Sequence, residues 1–168
     1  MSIWGGITGG LLGFVVLGPI GALVGSVIGS NLSSSSSRRR LNNFDKQVAF
    51  FAALFACLAK IAKADGRVDE SEVNKIEEII SSKLNLKGEH RKFAINIFQK
   101  AKDDNVSFEA YASNLYQILS SSPNSLLVFY EMLFELALAD GNLHPNEDDL
   151  LKKIPRIFKF DRKVYQSL

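Results

Sequence analysis

The sequence predicts an all-α protein: an N-terminal glycine-zipper transmembrane helix, then a compact domain of six or seven short helices with an internal pseudo-twofold repeat. Three observations carry that reading. Residues 1–37 contain no Asp, Glu, Lys, Arg or His, so every charged side chain lies in the rest of the 168-residue chain. Beyond Leu41, apolar residues recur at intervals of three and four, with no sustained strand alternation. Ala62-Lys63-Ala64-Asp65-Gly66 returns 75 residues later as Ala137-Leu138-Ala139-Asp140-Gly141.

The N-terminal stretch from Ile3 to Ile28 is long enough to cross a bilayer, for which a helix needs ~20 apolar residues. Its glycines are ordered. Gly5, Gly9, Gly13, Gly21, Gly25 and Gly29 share one four-residue register, and Gly6, Gly10, Gly18, Ala22, Ser26 and Ser30 form a second small-residue row beside it. In water each glycine inside a helix costs ~1 kcal/mol relative to alanine. In lipid, small residues at every fourth position let two backbones approach closely, so the first register is expected to be a helix-association face and the chain a homo-oligomer. The blander alternative is a plain anchor that tolerates its glycines. Pro19 offers a kink or a hairpin turn. Each half of a hairpin would have ~13 residues and reach ~20 Å, short of a ~30 Å core, so a single kinked span is expected. No basic region precedes the apolar stretch, which argues against a secretory signal. Arg38, Arg39 and Arg40 follow it, and the positive-inside rule then puts the N-terminus outside and the domain in the cytoplasm. The expected division is a transmembrane anchor over 1–32, a Ser/Arg linker over 33–40 and a helical domain over 41–168.

Within the domain, Phe44, Val48, Phe51, Phe55, Leu58 and Ala62 form a one-face helical stripe. Further stripes run over Val73–Leu84, Phe93–Ala101, Phe108–Leu119, Leu126–Leu138 and Leu150–Phe158, separated by Gly66, Gly88, Asn105, Pro123, Gly141 and Phe160-Asp161. The repeat extends past its Asp-Gly core, pairing Val68 with Leu143, Glu72 with Glu147, Ile76 with Leu151 and Ile79 with Ile154. Each copy reads as helix, turn, helix. Gly66 and Gly141 suit the left-handed position that ends a helix. Asp69 and Glu72 fit a capping box, and His144-Pro145-Asn146-Glu147 fits a variant with proline at the first helical position. Asp65 and Asp140 are less easily explained. A carboxylate at a helix C-terminus is disfavoured by ~0.3–1 kcal/mol, so each needs a compensating partner, either turn amides or a cation.

Chemistry is otherwise sparse. The domain from Leu41 carries 17 basic and 18 acidic residues, which gives no electrostatic reason to expect nucleic acid. Cys57 is the only cysteine and reads as a small core residue. Cys57, His90 and His144 do not sit at zinc-ligand spacing, and no nucleophile, base and orienting group come together, so no catalytic residues and no enzyme activity are expected. His90 with Lys87, Arg91 and Lys92 reads as a solvated helix surface, and the twelve phenylalanines read as core.

The Ala62–Val68 segment with Glu72, and its second copy over Ala137–Glu147, resemble the paired signatures of TerB-like domains. Trp4-Gly5 opening a glycine-rich span ahead of a helical domain is similar to the anchor of the DjlA-type membrane co-chaperones, which carry a TerB-like centre. The resemblance covers almost the whole chain. It implies a single-pass protein of the bacterial inner membrane and, by position, a divalent-cation site at Asp65, Glu72, Asp140 and Glu147. Carboxylates alone favour Ca²⁺ or Mg²⁺, although the spaced ligands of an EF-hand are missing. DjlA-type proteins end in a J domain whose His-Pro-Asp motif stimulates a DnaK-type chaperone. The present 168 residues contain no His-Pro-Asp, and His144-Pro145-Asn146 lies inside the second repeat as a helix start. The expected function is a membrane-anchored adaptor docking an unidentified cytoplasmic protein in envelope stress or protein quality control. The alternatives are a divalent-metal or tellurite-stress sensor, or a co-chaperone supplying the anchor while a separate J protein supplies the motif.

Overall fold

Five alanines set the centre of the domain. In the computed structural model, which describes residues 18–28, 43–64, 66, 68, 70–138 and 141–161, Ala49, Ala52, Ala53, Ala56 and Ala59 lie on one 20-residue helix and are all fully buried. We number the helices in chain order: α1 Gly18–Ile28, α2 Asn43–Ala62, α3 Glu70–Glu78, α4 Gly88–Asp103, α5 Phe108–Leu119, α6 Pro123–Ala137, α7 Pro145–Leu151 and α8 Ile154–Ile157. The described residues are helix, turn and loop throughout, and seven of these helices follow Leu41, as the periodicity predicts.

The alanine-bearing helix differs from the one-face stripe expected of it. Every residue from Ala52 to Ala59 is buried, because the alanines opposite Phe55 and Leu58 let further helices close on that side. α2 accordingly packs against α4, α5, α6 and α7. Cys57 lies in this wall, fully buried, and burial pushes its thiol far above the usual range. Aromatic rings lock the far side: Phe50 meets Phe129 edge-on at 5.4 Å, Phe129 lies 5.7 Å from Phe158, and Phe158 lies 5.6 Å from Phe160. Phe55, Phe93, Phe98, Phe108, Phe129 and Phe158 are core, as expected, whereas Phe50 and Phe51 are half-buried and Phe134 is exposed, because it faces away from α2.

The Val73–Leu84 stripe is not one continuous α-helix. α3 stops at Glu78 and widens into a π-helical turn over Ile79–Lys83, where Ser81 donates to the Glu77 carbonyl at 2.7 Å and Ser82 donates to that of Glu78. Serine hydroxyls that bond back to the preceding turn compete with the α ladder and loosen it.

The repeat is visible in the backbone. α2 and α6 end 75 residues apart, at Ala62 and Ala137, and α3 and α7 begin 75 apart, at Glu70 and Pro145. The turns match bond for bond. Gly66 N–H donates to Lys63 O at 2.9 Å, as Gly141 N–H does to Leu138 O at 2.8 Å. Both glycines are left-handed, with φ of +110° and +81°, so the helix-ending role read from sequence holds in both copies.

Candidate functional site

The described residues that the sequence singled out fall in two places. The first is the pair of acidic turns. Of Asp65, Glu72, Asp140 and Glu147, only the Glu147 side chain lies within the described residues. It closes a capping box: Glu147 Oε2 accepts the His144 N–H at 2.8 Å, and His144 Nδ1 accepts the Asn146 N–H at 3.4 Å. Pro145 takes the first helical position, where its missing N–H costs nothing. His144-Pro145-Asn146 is thus a helix start, as its place in the repeat indicates. The first turn and the start of α7 are neighbours, because Asn146 Nδ2 donates to the Ala64 carbonyl at 3.3 Å across 82 residues. Among the described residues no three His, Cys, Asp or Glu side chains converge as a metal site would require.

The second place is the seat of the N-terminal segment. α1 packs against α2, α4 and α5, burying Ile20, Gly21, Leu23 and Val24 while Gly18, Ala22 and Ser26 stay exposed. Its start is built by one distant side chain. Asn114 on α5, 7% exposed and the one buried polar side chain among the described residues, accepts the Ile20 N–H at 3.0 Å. That satisfies one of the donors a helix N-terminus leaves without an internal partner. Gly18 is left-handed at φ +67°, and Pro19 follows as the second residue of α1. The residues ahead of Gly18, on which the expected kink depends, lie outside the described residues. Of the proposed association register, Gly21 is buried against the domain and Gly25 is half-buried with open space beside it, while Gly5, Gly9, Gly13 and Gly29 lie outside the described residues.

Sequence reasoning missed Asn114, although a signal existed. It stands three residues after Tyr111 and four before Ile118, on the apolar face of its helix, where an amide needs a partner. It also missed the clamp beside the seat. Asp104 accepts from Lys60 Nζ at 2.7 Å, from the Val106 N–H at 2.9 Å and from the Tyr111 hydroxyl. Burial, then the Asp104 carboxylate, push the Tyr111 phenol above its ordinary range. Two members of the basic spot are paired: Arg91 meets Glu77 at 2.8 Å and Lys92 meets Glu89 at 3.0 Å.

Comparison with known proteins decides the family. Residues 51–168 match the family described as tellurite resistance protein TerB, and residues 1–39 match the co-chaperone DjlA transmembrane domain. The chain belongs to the TerB family. It is 33% identical over 179 residues to a co-chaperone protein DjlA of Photobacterium profundum, covering 99% of this chain and 64% of that one. The DjlA proteins of Coxiella burnetii and Escherichia coli K12 are each 29% identical, with 99% of this chain matched to 66% and 63% of theirs. The chain thus spans just under two thirds of the length of these relatives. No solved structure matches it significantly. This TerB-family chain is DjlA-like and membrane-anchored through its N-terminal transmembrane domain. Among the described residues no helix is long and apolar enough to cross a membrane; the part of the anchor that is described is the 11-residue α1, ~16 Å long.

Proposed function

We propose that the chain is a tethered scaffold, whose TerB-family domain is held at the cytoplasmic face of a bacterial inner membrane and docks a protein partner in envelope stress or protein quality control. The observation that supports this is the union, in one chain, of the transmembrane match over 1–39 and the domain match over 51–168, collinear with relatives named as co-chaperones. The anchor orients with its N-terminus outside, since Arg38–Arg40 follow it. Association through Gly5, Gly9, Gly13, Gly21, Gly25 and Gly29 raises the local concentration of domains and with it the avidity for a partner. A docking surface is at hand between α2 and α6, where Phe50, Phe51, Val128 and Met132 line an open groove. Val128 and Phe134 are the exposed large apolar residues of the described chain.

The test is photo-crosslinking from a benzoylphenylalanine placed at Val128 in the full chain, in native membranes. The scaffold reading expects a discrete protein adduct that disappears when Phe50 and Met132 are changed to Asp. Adducts to lipid or to itself alone would contradict it.

A second reading is favoured by one contact. The Asn146–Ala64 hydrogen bond brings the start of α7, which carries Glu147, to the end of the first turn, which suits a cation sensor using Asp65, Glu72, Asp140 and Glu147 with Ca²⁺ or Mg²⁺. Saturable stabilisation of the full chain by either ion, lost in Asp65→Asn/Asp140→Asn, would put this reading first.

A further inference from the structure

The segment Gly18–Ile28 belongs to a transmembrane domain by comparison, yet in the structure it fills a groove of the TerB domain. These are two different solvents for one helix. From the seat we infer that residues 18–28 have alternative locations, docked between α2, α4 and α5 or inserted in the bilayer, and that docking withholds them from the membrane.

Three features of the seat support exchange. The docked face is apolar, with Ile20 and Val24 at 0% exposure, so it buries equally well in hydrocarbon. The buried polar side chain of the seat is Asn114, whose amide returns to water when the segment leaves, while Gln99, Lys100 and Asp103 lie at its open edge. The third feature makes the two locations incompatible. Docking holds Gly18 at φ +67°, which no continuous helix can pass through, whereas a span needs ~20 residues of unbroken helix and α1 supplies 11. Insertion of α1 with the apolar residues ahead of it therefore requires Gly18 to become helical and the Asn114 bond to break. Insertion also uncovers the groove on α2, α4 and α5, so the membrane state of the anchor is reported on the surface of the domain.

Two glycines separate the locations by chemistry. At Gly18 an added Cβ is strained by the left-handed backbone and meets the Asn114 amide nitrogen at 3.1 Å. At Gly25 an added Cβ meets nothing within 4 Å. Alanine favours a continuous helix at both. Gly18→Ala is expected to shift the balance towards insertion roughly five- to thirty-fold, and Gly25→Ala to leave docking intact.

Ala22 and Asp103 line the same depression, so the pair Ala22→Cys/Asp103→Cys, with Cys57→Ala, reports docking through a short bis-maleimide. Full chain is made by cell-free synthesis, without lipid and with vesicles of phosphatidylethanolamine and phosphatidylglycerol. The expected result is efficient crosslinking without lipid, a fall in chain that floats with vesicles, and a further fall for Gly18→Ala but not for Gly25→Ala. Crosslinking that vesicles leave unchanged in floated chain would overturn the exchange. Failure to crosslink without lipid would overturn the seat. Equal behaviour of the two alanine variants would overturn the incompatibility. Circular dichroism of each variant checks that the domain is folded.

Discussion

Single residues carry much of what distinguishes this domain. Gly66 and Gly141 have room for a methyl group, so the cost of substituting them is backbone strain alone. Gly66→Ala and Gly141→Ala should each lower stability by about 1–2 kcal/mol in denaturant titration. Glu147 has a local role whether or not a cation binds. Glu147→Ala should cost about 1 kcal/mol with EDTA present, because the His144 N–H loses its acceptor. Tyr111 gives a pH signature. Its folded-state affinity for the proton is raised, so its contribution is complete below the ordinary tyrosine value of ~10 and is lost as pH rises from there towards the folded-state value. Tyr111→Phe should therefore lose stability at neutral pH, by about 1–2 kcal/mol, and show a shallower alkaline decline in thermal unfolding.

At the scale of elements, the sequence was informative where structure is local. The Asp-Gly turns, the proline-first helix α7 and the breaks at Asn105 and Pro123 depend on residues within a turn of one another, and they were readable. Two features were not, for different reasons. α2 reads as amphipathic because alanine scores as weakly apolar, and only the approach of five helices makes its second face interior. Widening at Ile79–Lys83 depends on which serine rotamer wins against the helix ladder, a choice no periodicity records. Asn114 stood in plain view on an apolar face, but its partner is 94 residues away. The alanines of α2 are the sharpest test at this scale. Ala56→Leu should cost about 1–3 kcal/mol by overpacking, although leucine is an equally good helix former.

For the whole molecule, the anchor and the domain divide the work. Family models match both parts, and the scaffold role we propose rests on having them in one chain. The arrangement requires the domain to stand on the side of the membrane where Arg38–Arg40 remain. Cys57 makes this directly measurable, since a fully buried thiol with a raised pKa gives little background with maleimides. A single cysteine placed by Ser35→Cys in the full chain, expressed in bacterial cells, would be probed with a membrane-impermeant maleimide before and after the inner membrane is opened. The account predicts no labelling of intact cells and full labelling once the membrane is breached. Labelling of intact cells would put the domain outside and contradict a cytoplasmic scaffold.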